Sequence, residues 1–428
     1  MWAEPEGESS FYRVQWTNGR TNRNISVTET NINITELTAG VQYNFTVIAV
    51  AGDNTTESAM AETFHFTKPQ VVRNLSVLNA TTSSMFLTWT EPEGQRSFYK
   101  VQWTHGEIHG TVNVKQTNID ITNLTAGVQY EITVTAVAGG QSTEGQSTTV
   151  SQFTKPEVVR NLTVGQVTTS SISLMWAEPE GESSFYRVQW TNGRNNWNIS
   201  VTETNKNITE LTAGVQYNFT VIAVAGDNTT ESAMAETFHF TKPQVVRNLS
   251  VLNATTSSMF LTWTEPEGQR SFYKVQWTHG EIHGTVNVKQ TNIDITNLTA
   301  GVQYEITVTA VAGDQSTEGQ STTVSQFTKP EVVRNLTVGQ VTTSSISLMW
   351  AEPEGESSFY RVQWTNGRNN RNISVTETNK NITELTAGVQ YNFTVIAVAG
   401  DNTTESVMAE TFHFTSKMMD YLFHYNSA

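Results

Sequence analysis

The stretch LTAGVQY, Leu124 to Tyr130, returns letter for letter at Leu37, Leu211, Leu298 and Leu385. Successive copies lie 87 residues apart, and Trp2, Trp89, Trp176, Trp263 and Trp350 keep the same period, as do Pro69, Pro156, Pro243 and Pro330. A fixed period of this length marks an array of one structural unit. Two versions alternate. The first reads AEPEGESSFYRVQWTNGR, as at Ala177 to Arg194, and the second TEPEGQRSFYKVQWTHGE, as at Thr90 to Glu107. Residues 2–155 and 176–329 differ at a handful of positions, among them Arg23 against Trp197 and Gly140 against Asp314. Copies this similar have not diverged into separate chemistries.

Within one unit the letters read as strand after short strand. In residues 156–242, SISLMW puts Ile172, Leu174 and Trp176 on one face, and SFYRVQW sets Tyr186, Val188 and Trp190 against Arg187 and Gln189. Alternation at period two is the mark of a half-buried strand. YNFTVIAVAG likewise turns Tyr217, Phe219, Val221 and Ala223 inward, with Asn218 and Thr220 outward. Pro179 and Gly181 in EPEG, and Asn192-Gly193 in TNGR, supply turns between them. About seven such strands per unit, without helical periodicity, predict an all-β chain: a tandem array of immunoglobulin-like antiparallel β-sandwiches. The boundaries expected are an incomplete first unit over 1–68, whole units over 69–155, 156–242, 243–329 and 330–416, and a non-repeat tail over 417–428. The joint TKP leaves almost no linker, which predicts stiff connections.

Composition sets the limits on function. The chain has 428 residues, 37% hydrophobic and 15% charged, which is globular material divided among several domains. A net charge of -15 argues against nucleic acid or anionic membrane surfaces as partners. With no cysteine there is no disulfide, thiolate metal site or cysteine nucleophile. No apolar run is long enough to insert in a bilayer. The opening MWAEPEGESSFYRVQW recurs inside the chain at Met175 and Met349, so Met1 reads as an internal residue of a repeat, with the first unit short of its early strands and poorly folded.

These residues carry a resemblance. Trp89, Trp176, Trp263 and Trp350 in the second strand, Y-x-V-x-W in the third, and L-x-x-x-x-x-Y before the sixth resemble the fibronectin type III domain over about 415 residues. The resemblance implies that Tyr43, Tyr130, Tyr217, Tyr304 and Tyr391 stand at a corner between the sheets, each hydroxyl bonded to backbone upstream. Where the family often has proline, Ala126 stands, which leaves the turn to Gly127. More narrowly, VVRNLTV, TTSSISL and NITELTAGVQYNFTV are similar to ectodomains of receptor-type tyrosine phosphatases of the eta, H and beta kind. Their catalytic half needs a cysteine nucleophile, and this chain has none.

Twenty N-x-S/T acceptors are the strongest further signal, against roughly seven or eight expected by chance from this composition. The candidates are Asn24, Asn33, Asn44, Asn54, Asn74, Asn79, Asn123, Asn161, Asn198, Asn207, Asn218, Asn228, Asn248, Asn253, Asn297, Asn335, Asn372, Asn381, Asn392 and Asn402. Asn218 faces outward on the sixth strand, where the second version of the unit has Glu131 or Glu305. A sugar there would cover the sheet of the third, sixth and seventh strands. The barer sheet of the second version is therefore the candidate contact face: Lys100, Gln102, Glu131 and Thr133, with copies at Lys274, Gln276, Glu305 and Thr307. The plain alternative is an ordinary solvated face.

Other constellations fall short of chemistry. His105 and His109, copied at His279 and His283, have only Glu107 or Glu281 beside them, too few ligands for zinc. Asp227, Asn228 and Glu231 lack EF-hand spacing. Glu178 and Glu180 flank a turn proline on an exposed rim, without a pocket to raise a pKa. No catalytic residue, metal or cofactor is expected, and the reading is not an enzyme. The expectation is an extracellular spacer and recognition segment of a cell-surface receptor, met by an extracellular protein or glycan ligand. A matrix glycoprotein of tenascin type, or accessory modules of a secreted enzyme, are the alternatives.

Overall fold

The computed structural model describes residues 1–140, 143–313 and 317–417. The tail expected over 417–428 lies, Lys417 apart, outside the described residues, as does Asp314. Every regular element among the described residues is a β-strand, and neighbouring strands among them pair antiparallel. The chain divides into two compact units. One comprises Met1–Thr163, Leu174–Lys206 and Asn218–Thr237; the other comprises Val164–Ser173, Asn207–Tyr217 and the residues from Phe238 onward.

Residues 69–155, in the first unit, show how the pattern folds. Arg73–Ala80, Met85–Thr90 and Asn118–Ile121 form a three-stranded sheet in that order. Ile108–Val114, Phe98–His105 and Gln129–Ala138 lie side by side in the other sheet, with Thr143–Glu144 and Thr148–Phe153 both on Gln129–Ala138. Met85, Leu87 and Trp89 from the first sheet meet Tyr99, Val101, Tyr130, Ile132 and Val134 from the second, and all are buried. Period-two alternation thus delivers one apolar face per sheet, and the two faces close on each other. Trp89 meets Tyr99 edge to face at 5.1 Å; Trp263 with Tyr273 and Trp350 with Tyr360 repeat this in the second unit at 5.2 and 5.5 Å.

LTAGVQY does what its resemblance implies. The Tyr130 hydroxyl accepts the Thr125 N–H at 2.9 Å, and Tyr43, Tyr217, Tyr304 and Tyr391 accept from Thr38, Thr212, Thr299 and Thr386 at 2.9 to 3.1 Å. A buried ring with a polar tip thereby satisfies a backbone donor at the corner. Gly127 sits at φ +75°, a left-handed conformation that glycine adopts without strain.

Residues 1–66 form one four-stranded sheet, in the order Asn22–Val27, Phe11–Thr17, Gln42–Val50, Ala61–Phe66. Its strands are formed, with Tyr12 and Val14 buried. No three-stranded sheet covers it among the described residues, and Phe45 and Val47 stay half-buried where their counterparts Phe393 and Val395 are fully buried.

Candidate interaction surface

Strand register brings the four predicted contact residues onto one outer face. Thr133 lies opposite Gln102, Thr135 opposite Lys100, and Glu131 opposite Thr104. In the second unit Thr307 pairs with Gln276, Thr309 with Lys274 and Glu305 with Thr278. Glu131 and Glu305 are exposed, while Lys100 and Gln102 are half-buried along the sheet.

Lys100 has a partner that strand parity does not reveal. Its Nζ donates to Glu144 Oε1 at 3.1 Å, and Lys274 donates to Glu318 at 3.0 Å. The same position is arginine in the first version of the repeat, where Arg13, Arg187 and Arg361 pair with Glu57, Glu231 and Glu405. A cation tied to the same glutamate position in each copy is a brace across the sheet edge before it is a docking group. Thr133 is similarly engaged with Thr149, their hydroxyls 3.2 Å apart. Of the predicted residues, Glu131 and Glu305 are the exposed ones, with Gln102 and Gln276 half-buried on the same face.

The histidines do not converge on an ion. His105 Nδ1 lies 3.0 Å from the Gln129 carbonyl, its ring packs on Tyr130 at 5.6 Å, and Nε2 is 3.9 Å from Glu182. His109 turns to the Glu107 carbonyl. Among the described residues no group of three His, Asp or Glu could hold a metal. Asp227 is absorbed by its own loop: Oδ1 accepts the Thr229 and Thr230 amides and Oδ2 the Thr230 hydroxyl. Burial alone would raise its pKa, but these bonds outweigh it and hold the carboxyl at about 2. Glu180 pairs with Arg160 at 3.1 Å on an exposed rim.

The fibronectin type III domain pattern matches residues 1–64, 68–151, 155–238, 242–326 and 329–412. The chain belongs to the fibronectin type III family. It is 34% identical over 407 residues to receptor-type tyrosine-protein phosphatase eta of Gallus gallus, covering 93% of this chain and 29% of that protein. It is 33% identical to receptor-type tyrosine-protein phosphatase H of Homo sapiens, covering 92% of this chain and 37% of that one. Tenascin-R of Gallus gallus is 25% identical over 81% of this chain and 26% of its own length. The chain thus spans about a third of the phosphatases that it matches. Among the described residues no helix is long and apolar enough to cross a membrane.

In these fibronectin type III repeats the N-x-S/T asparagines fall into two structural classes. Asn54, Asn74, Asn123, Asn161, Asn228, Asn248, Asn297, Asn335 and Asn402 all have φ between 52° and 63°. Asparagine tolerates that conformation better than most residues, although Glu36, Glu210 and Glu384 adopt it at the repeat position of Asn123 and Asn297. Asn24, Asn44, Asn79, Asn198, Asn207, Asn218, Asn253, Asn372, Asn381 and Asn392 lie within strands, as Asn74, Asn161, Asn248 and Asn335 also do, but without the positive φ. Asn33 lies outside both classes, in the segment before the first corner. Counting motifs in the sequence merges the classes; the backbone separates them.

Proposed function

We propose that this chain is an extracellular spacer and recognition segment of a cell-surface receptor of the receptor-type tyrosine phosphatase kind, working by surface contact in adhesion and signalling. The carrying observation is an asymmetry between two otherwise matching sheets. Where the first-type repeat presents Asn44 or Asn392 outward, the second-type repeat presents Glu131 or Glu305 in the same register. N-linked glycans on the first type shield it, and the sheet of the second type meets an extracellular protein or glycan. The chain itself performs no catalysis; phosphatase chemistry, with its cysteine nucleophile, belongs to a different kind of domain.

Support for the receptor reading comes from the phosphatase similarity over nearly the whole chain. The lower tenascin similarity favours a second reading, a matrix glycoprotein built of the same repeats. The test is binding of the secreted, fluorescently labelled chain to intact cultured animal cells. Substituting Gln102, Glu131, Gln276 and Glu305 by alanine abolishes binding on this account. Undiminished binding by that variant overturns the assignment of the contact face, and a chain secreted without any glycan overturns the shielding.

A further inference from the structure

Several large apolar side chains stand open on sheet faces, and two sets share one neighbour. Phe64 is 62% exposed and Phe412 64%. Each lies directly across the strand pair from an N-x-S/T asparagine, Phe64 from Asn44 and Phe412 from Asn392. On the opposite sheet of the second-type repeat, Phe86 and Phe260, each 37% exposed, lie directly across from Asn79 and Asn253. Side chains at directly opposed positions point to the same face, with Cβ atoms about 5 Å apart.

Each pair is lost as a pair in the other repeat type. The register of Asn44 and Phe64 is held by Glu131 and Ser151, and again by Glu305 and Ser325. The positions of Asn79 and Phe86 are taken by Gln166 and Ser173, and by Gln340 and Ser347. Serine at these positions is compatible with the same strands, so the fold does not require the phenylalanine. An open ring also leaves apolar surface in water, which is unfavourable unless something covers it.

We propose that the first N-acetylglucosamine attached to Asn44, Asn79, Asn253 and Asn392 lies on the ring of the cross-strand phenylalanine, apolar sugar C–H face against aromatic face. The inference rests on the glycoprotein reading above and assigns the sugar its place. The covalent step is ordinary N-glycosylation from a lipid-diphosphate-linked oligosaccharide: Asn Nδ2 bonds to the anomeric carbon, the carbon–oxygen bond to the diphosphate breaks, and the amide proton leaves with the departing lipid diphosphate. Around Asn392 the space exists. A shallow depression of about 600 Å³ is lined by Asn392, Thr394, Glu410 and Phe412, within the size range of small-molecule sites.

The test uses the full chain secreted behind a cleavable leader by animal cells fed isotope-labelled N-acetylglucosamine, then trimmed enzymatically to one sugar per site. Glycopeptide mass spectrometry reads occupancy, and NMR reads the sugar signals. Signals of sugars at Asn44, Asn79, Asn253 and Asn392 are expected to be shifted upfield by the ring current. That at Asn381, which faces Ser347, is not. Phe64→Ser, Phe86→Ser, Phe260→Ser and Phe412→Ser together remove the shift, and Phe412→Tyr retains it at Asn392. Occupied sites without an upfield shift overturn the stacking while leaving the glycoprotein reading intact. Unoccupied asparagines at these four positions, with sugar found elsewhere, overturn the proposal; a chain with no sugar anywhere overturns both.

Discussion

The Glu182 amide donates to the Ala126 carbonyl at 2.9 Å, joining the LTAGVQY corner of one repeat to the EPEG turn of the next. Gln95 and Ala39 make the same bond in the first unit, and Gln269 with Ala213 and Glu356 with Ala300 make it in the second. The approach is close: a Cβ added at Gly127 would stand 1.7 Å from the Glu182 carbonyl oxygen. The corner therefore repeats for two reasons, to seat its tyrosine and to receive the next repeat.

Gly127→Ala should open that joint without unfolding either repeat. The methyl group has no room, and φ of +75° disfavours it independently. Hydrogen exchange at the Glu182 amide is expected to accelerate while amides of the Gln129–Ala138 strand keep their protection. Unchanged exchange at Glu182 would show that the joint yields without breaking.

Tyr130→Phe leaves the Thr125 N–H without its acceptor while preserving the packed ring. A buried donor stripped of its partner costs about 1–3 kcal/mol. Tyr130→Phe with Tyr304→Phe should lower the thermal midpoint of the second-type repeats by several degrees in calorimetry, without altering the far-ultraviolet circular dichroism. An equal midpoint would mean that the hydroxyl contributes nothing.

Asp227 and Asp401 give a pH dependence with a definite sign. Both carboxyls are held at about 2, because bonds from the following threonines outweigh the opposing effect of burial. An ordinary aspartate titrates near 4, so the folded value is depressed. Their stabilisation is therefore complete above about pH 4 and lost as pH falls toward about 2. Amides of Thr230 and Thr404 should lose exchange protection across that window, and Asp227→Ala with Asp401→Ala should remove both the protection and its acid dependence.

The Lys100–Glu144 pair is half-exposed, and such pairs contribute about 0–1 kcal/mol. Lys100→Met should therefore shift stability by less than about 1 kcal/mol in urea denaturation. A larger loss would make the brace a principal support of the fold.

The fold was legible because one residue in two along each strand is apolar, as in Tyr186, Val188 and Trp190, and because Tyr130 recurs at the same distance from Leu124. Parity also placed Glu131 and Gln102 on one face. What parity could not show is anything set by chain return. Glu144 reaches Lys100 from a distant hairpin, Phe64 reaches Asn44 from the next strand, and Glu182 reaches Ala126 from another repeat. Nor does a letter disclose its backbone angle: Asn74 and Asn79 look alike as acceptors, yet only Asn74 is left-handed.

The shielding asymmetry can be tested by moving the shield. Glu131 precedes Ile132 and Thr133, and Glu305 precedes Ile306 and Thr307, so Glu131→Asn with Glu305→Asn completes an acceptor sequence on each bare sheet. With glycopeptide mass spectrometry confirming the added sugars, cell-surface binding of the secreted chain is predicted to fall to background. Binding that persists at full strength with both sheets glycosylated would contradict the account.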